Sequence, residues 1–309
     1  VTPLPADHHP DCYPSDPAQA RAFFQEAFLS YPAKAPPVDL LGIVTPHIDF
    51  RVSLRSYAAA FRPLLDLPLA DTYVILGVGH RSRLEWNLDR RDYETPLGRA
   101  VNAVDLVEAL AHGAEPARLF SPKAHEGEHS IELPLVWLQA LHQLHPDATQ
   151  RNRPFRFVPL LCGGMFEYID GPGDWDDLDE FHRLSRHLGQ LLADAPGGQT
   201  IRVIVSIDGC HLGPRFQHPF RVTPVLLRTT EGWEQFLWDE VAKGDARQFL
   251  DWMRNEGNDR YFDGVGALSL LLNAAPKDGR KFKIARTYYE QWFTERDHSA
   301  VTFSSGTIA

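Results

Sequence analysis

The stretch Ile201–Gly213, IRVIVSIDGCHLG, decides how the chain is read. From Ile201 to Ser206 it is mostly β-branched and apolar, the pattern of a strand buried on both faces. It then turns polar at Asp208, Gly209, Cys210 and His211, and Gly213 closes the segment. Such a strand delivers a carboxylate and an imidazole to one end of a sheet. Two earlier apolar runs end alike, Leu41–His47 (LGIVTPH) and Tyr73–His80 (YVILGVGH). Strand-like and helix-like segments alternate through about residue 220. That alternation predicts an α/β fold with a mostly parallel central sheet and helices on both faces.

Outward from these strands, the spacing predicts helices over Pro17–Ser30, Ser53–Leu65 with Ser53 as N-cap, Asn102–His112, and Ile131–His145 with Ser130 as N-cap. Further helices are expected over Leu178–Asp194 and about 231–243, 245–256 and 261–274. Phe155–Leu161, Lys281–Tyr288 and Ala300–Phe303 read as strands, and Arg81–Arg99 and 163–179 as loops. Residues 1–37 are proline-rich and read as an arm wrapping the surface, ahead of one α/β domain over 38–309. His8, His9 and Cys12 cluster in that arm. The long helical faces bearing Trp233, Phe236, Trp238, Phe249 and Trp252 are core-like.

The chain has 309 residues, 43% hydrophobic and 23% charged, within the range of an ordinary globular protein. A formal net charge of -10 argues against a general nucleic-acid binder, which needs a basic face. Its three cysteines form no disulfide framework and no CxxC pair, which fits a reducing, cytoplasmic setting. No apolar run reaches the roughly 20 residues of a membrane span, and no signal pattern opens the sequence. No membrane or nucleic-acid partner is expected. No Gly-Lys-Ser/Thr follows Gly77–His80, so this is not a phosphate loop.

In open α/β sheets ligands bind beyond the carboxyl ends of strands, where His47, His80 and His211 all fall. Two histidines and one anionic ligand, with positions left open, make a divalent metal site. A third histidine outside the coordination shell can act as acid or base, and Asp208 can orient it. His125, Glu126, Glu128, His129 and Glu132 surround the start of a helix. His125 precedes the expected cap, so His125 and His129 do not share a helical face, and they read as pocket lining. Cys210 reads as a buried, inert thiol.

TPHIDF around His47, VILGVGH ending in His80, ETPLG at 94–98, EHSIELPL at 128–135 and IVSIDGCHLGPRF at 204–216 recur in this order over most of the chain. SAVTFSSG in the tail adds a weaker match. Together they resemble the Memo family, which includes protein B of the AmmeMemoRadiSam system. The resemblance implies the fold of class III nonheme extradiol dioxygenases. It implies His47 and His80 as metal ligands and Asp208 and His211 as pocket residues, His211 as acid/base. His129 joins them as a catalytic candidate. The family has a cysteine near its C-terminus as third ligand. Ungapped matching puts Phe293 there, and no cysteine follows Cys210. Glu290, Glu295, Asp297 and His298 are the nearby substitutes, with Glu290 taken as the third ligand.

The expected function is therefore a Memo-like protein with a metal pocket, read as an iron(II) oxidoreductase of dioxygenase type acting on a small, chelating or aromatic molecule. Copper and zinc are the other metals considered. The alternatives are a non-catalytic metal- or peptide-binding protein of the Memo type and a metal-assisted hydrolase.

Overall fold

A computed structural model describes residues 2–8, 11–32, 35–37, 39–82, 84–276 and 281–309. The strands are β1 Leu4–Pro5, β2 Gly42–Thr45, β3 Thr72–Val78, β4 Trp86–Leu88, β5 Tyr93–Thr95 and β6 Gly98–Asn102. They continue as β7 Arg156–Cys162, β8 Ile201–Ser206, β9 His211–Leu212, β10 Ile284–Thr294 and β11 Ser299–Ile308. They form one sheet in the order β1-β5-β6-β7-β3-β8-β2-β11-β10, with β4 against β7 and β9 against β11. From β6 to β2 every pairing is parallel, and β11 and β10 extend the sheet as an antiparallel pair. This is the α/β architecture expected, with the mostly parallel sheet at its centre.

Successive side chains of a strand point to opposite faces, so each central strand feeds two cores. Val74, Leu76, Val203 and Val205 face one side, with Leu184 and Leu188 of the helix Asp179–Ala193 and the leucines of Val265–Asn273. Tyr73, Ile75 and Ile204 face the other, with Phe61 of the helix Phe50–Phe61 and Trp137 of the helix His129–Leu144. Burial on both faces explains why these strands are continuously apolar rather than alternating.

Several expected elements shift. The helix placed at Ser53 begins at Phe50, because the Asp49 carboxylate accepts the Arg51 N–H; Ser53 itself sits at a kink with φ -145°. The helix placed at Ile131 begins at His129, with the Glu128 side chain accepting the Ser130 N–H. The expected loop Arg81–Arg99 holds β4, β5 and the start of β6. Strands of three residues carry too little period to be read from sequence. The helix expected at 231 starts at Pro224, behind a Thr223 cap. The tail strands are longer than expected and form a hairpin.

The N-terminal segment does more than wrap the surface. Asp16 caps the helix Pro17–Leu29, which buries Phe24 and Phe28 edge-on against Trp137. β1 pairs with β5. His9 lies outside the described residues.

Candidate metal centre

β3, β8 and β2 are neighbours in register: Leu76 pairs with Val205, which in turn pairs with Val44. Each strand therefore ends at the same sheet edge, and the polar residue two positions beyond each end arrives there. These are His80 after Val78, Asp208 after Ser206 and His47 after Thr45. The helix N-terminus at His129 meets them across a hydrogen bond from the Ser130 hydroxyl to the Val78 carbonyl, 2.8 Å. Gly77 is required there, because a Cβ would lie 2.7 Å from Ser130 Oγ and 2.9 Å from Ile131 Cδ1.

The three imidazoles converge. His47 and His80 rings lie 5.0 Å apart between centroids, His47 and His129 5.0 Å, and His80 and His129 4.6 Å. His47, His80 and His129 each offer a ligand atom within 4.8 Å of the others. A second group shares His47 and adds two carboxylates, Asp208 and Asp263. Asp263 Oδ2 lies 3.2 Å from His47 Nε2, and Asp208 Oδ2 lies 3.7 Å from it.

Neighbouring groups fix which ring atoms are free. His47 Nδ1–H donates to the Ser206 carbonyl at 3.1 Å, which leaves Nε2 to face a proton or a ligand. His80 Nδ1–H donates to Glu128 Oε1 at 2.9 Å, with the same result. Glu128 also lies 3.4 Å from His129 Nδ1. Asp208 Oδ1 accepts the backbone N–H groups of His47 (2.9 Å) and Ile48 (3.1 Å), holding the turn after β2. His211 donates from its backbone to the Arg260 carbonyl (2.9 Å) and from Nδ1 to the Tyr261 carbonyl (3.1 Å). It thus secures the loop that carries Asp263.

The electrostatics favour a cation. Burial works against charge on His47, but Asp208 and Asp263 outweigh it and raise its pKa to about 10. Burial likewise opposes charge on Asp263, and His47 holds that carboxyl below the usual range. For Asp208 burial wins, against the pull of His47, and the pKa rises. Glu128 is held at about 2: burial opposes this, and the His80 hydrogen bond and charge prevail. Burial, with the positive fields of His47 and His80, lowers His129 to about 2 and keeps it neutral.

A divalent metal fits these residues on one observation above all. His47 Nε2 and Asp263 Oδ2 are buried with only each other, at 3.2 Å, and Asp263 Oδ1 is buried with no partner. Buried polar atoms are nearly always paired; here the His47 proton lies toward Asp263 Oδ2 at 3.2 Å while Asp263 Oδ1 has no partner, and a metal ion taking that proton's place would meet imidazole and carboxylate together. His47, His80, His129, Asp208 and Asp263 supply imidazole and carboxylate donors of the kind divalent metals take.

Of the residues expected from sequence, His47, His80, His129 and Asp208 come together here, and His211 lines the same cleft. Glu290 does not join them. Its carboxylate accepts from the Ser53 hydroxyl at 3.0 Å and from Tyr288, and it belongs to neither donor group. It lies on β10, beyond β11, so the sheet order separates it from the ends of β3, β8 and β2. The carboxylate facing His47 comes instead from Asp263, in a segment read as helix over 261–274. The structural helix begins only at Val265, and the Asp263-Gly264 turn signal was the clue available. Cys210 is fully buried, as expected of an inert thiol.

The cleft beside the centre has a volume of about 700 Å³ and is bounded by Ile48, Val52, Phe216 and Trp292. His8 closes one side, its Nδ1 bonded to Glu132 at 2.8 Å. Cys12 also lines it, with a thiol that burial pushes up to about 12. Among the described residues, no helix is long and apolar enough to cross a membrane.

A family model described as Memo-like protein matches residues 5–307. A MEMO1 family protein of Thermus thermophilus is 27% identical over 266 residues, 84% of this chain and 70% of that protein. One of Aquifex aeolicus is 24% identical over 275 residues, 88% of this chain and 65% of that protein. One of Archaeoglobus fulgidus is 30% identical over 205 residues, 65% of each. The matches thus span about two thirds of these relatives' lengths. With the family model covering nearly the whole sequence, the chain belongs to the Memo-like protein family.

Proposed function

We propose that this protein is a metal-dependent oxidoreductase that holds one divalent ion with His47, His80 and Asp263. Two imidazoles and one carboxylate, with positions left open, form the donor set of nonheme iron(II) oxygenases, so iron(II) is the proposed ion. What carries the reading is the buried contact of His47 Nε2 with Asp263, whose second oxygen has no partner. An ion held by these residues would supply Lewis-acid and oxygen chemistry.

The remaining roles fall to the chain's own residues. Asp208 fixes the backbone of His47 and adds negative charge behind it. His129, kept neutral, offers a ring nitrogen at the rim of the centre rather than a base. His211 has Nδ1–H tied to Tyr261, so its Nε2 is the acid/base atom in the cleft wall. Trp292 and Phe216 give that cleft aromatic walls for a small, flat substrate.

Metal analysis of protein purified without added metal tests the reading. The expected result is about one iron per chain, lost in His47→Ala and His80→Ala. Full metal content in the double variant sinks it. Oxygen uptake with catechols then separates a catalyst from a metal- or peptide-binding protein without turnover. One observation favours a second reading. His47, His80 and His129 also form a three-histidine set, the ligand type of hydrolytic zinc sites. Zinc with esterase activity, and no oxygen uptake, would select it.

A further inference from the structure

We propose that Glu234 is a positioning residue for this centre, a role that rests on the metal-site reading above. Glu234 lies on the helix Pro224–Ala242 and is completely buried. It touches none of the candidate ligands. One of its oxygens accepts the Thr302 hydroxyl and the Cys210 backbone N–H, the latter at 3.4 Å. Thr302 Oγ1 accepts that same Cys210 N–H at 2.7 Å. The Thr302 backbone grips the turn again, its carbonyl accepting from Gly209 at 2.7 Å and its N–H donating to Cys210 at 3.0 Å. The Glu234–Thr302 pair therefore clamps Gly209-Cys210 from behind the sheet.

The fit leaves no slack. A Cβ on Gly209 would come within 2.3 Å of Thr302 Oγ1 and 2.8 Å of Glu234 Oε1. The residues flanking the clamp are Asp208 and His211. Asp208 holds the backbone of His47, and His211 holds the Arg260–Tyr261 backbone leading to Asp263. One carboxyl thus acts on two candidate ligands through one turn. The carboxyl also carries a cost to stability. The second Glu234 oxygen is buried without a partner, as is Arg260 Nε nearby, and an apolar residue would avoid that desolvation.

The test uses the full chain with Glu234→Gln, Glu234→Leu and Thr302→Val. It has two readouts: Zn(II) affinity by competition with a chromophoric chelator, and the ¹⁵N spectrum of the His211 ring in metal-free protein. Glu234→Gln, which can still accept both hydrogen bonds, should bind Zn(II) within about threefold of the parent. Glu234→Leu and Thr302→Val should remain folded yet bind about 10–100-fold more weakly, the range for loss of an outer-shell partner. In both, the His211 ring should lose its single Nδ1–H tautomer. Parental affinity and an unchanged His211 spectrum in the folded variants would overturn the proposal. If Glu234→Leu does not fold, the near-isosteric Thr302→Val decides alone. A parent chain that binds no Zn(II) fails the metal reading instead, and the metal-free His211 spectrum still judges Glu234.

Discussion

Buried histidines from other elements stand near both ends of β3, and the two environments differ in one respect. At its start, Tyr73 OH meets His142 Nε2 at 3.1 Å, and His142 Nδ1–H donates to the Arg153 carbonyl at 2.8 Å. Both ring nitrogens are used. His125, off to the side, is also closed, between Tyr93 OH and the Asn87 carbonyl, each at 3.2 Å. Burial lowers both rings to about 4, so they are neutral structural parts. At the far end of β3, His47 is equally buried, but its second nitrogen faces two carboxylates that raise it to about 10. Burial does not distinguish a structural histidine from a candidate ligand; a ring nitrogen facing negative charge rather than a neutral partner does.

Exchanging the two kinds of histidine gives the largest contrast. His47→Ala should weaken metal binding by more than about 100-fold, since it removes a proposed ligand outright, while outer partners alone are worth about 10–100-fold. His142→Ala should leave metal affinity intact and lower unfolding free energy by about 1–3 kcal/mol, through the orphaned Tyr73 hydroxyl and Arg153 carbonyl. Calorimetric titration and denaturant melts check the pair. A His142→Ala protein that loses metal erases the distinction.

Next in size is Glu128→Gln, which weakens the carboxylate anchor on His80 and His129. A loss of about 10-fold in metal affinity is expected, with little change in melting temperature.

The pH responses run in opposite directions. In metal-free protein the raised His47 pKa contributes stability that is complete below about 6.5 and lost as pH rises to about 10. Metal must displace that proton, so affinity should climb between pH 7 and 10, and Asp263→Asn should flatten the climb. His125 and His142 do the reverse. Their lowered pKa values leave the unfolded chain binding more protons between pH 6.5 and about 4, so their contribution falls as pH falls through that window. Apo-protein melts across pH 4–10 should show both slopes; a flat alkaline limb would contradict the His47 environment.

The smallest effect belongs to Glu290→Gln. It should leave metal content unchanged and cost no more than about 1 kcal/mol, through the Ser53 and Tyr288 contacts. Loss of metal in that variant would restore Glu290 as a ligand and displace Asp263.

How much was legible varies by residue. His47, His80 and Asp208 could be found because apolar strands announce themselves and a parallel sheet presents all their ends on one side. His129 and Glu128 were visible as a polar cluster at a helix start, although the cap was misplaced from Glu128 to Ser130. Asp263 lies in a run that reads as helix over 261–274, and Glu290 is the carboxylate near the matched tail. Nearness along the chain misled there, because β10 and β11 fold out as a hairpin at the sheet's edge. The clamp on Gly209 could not be read at all: Glu234 lies on a helix read as core, and Thr302 in the tail.

The sequence by itself determined the apolar strands, their shared polar ends and the histidines placed there, because these depend on local patterning and on the geometry common to parallel sheets. Only the tertiary structure decided which carboxylate faces His47 and which buried histidines are already satisfied. Those depend on partners far apart in the chain, from Asp263 and Glu234 to Thr302, and no local period encodes where such residues meet.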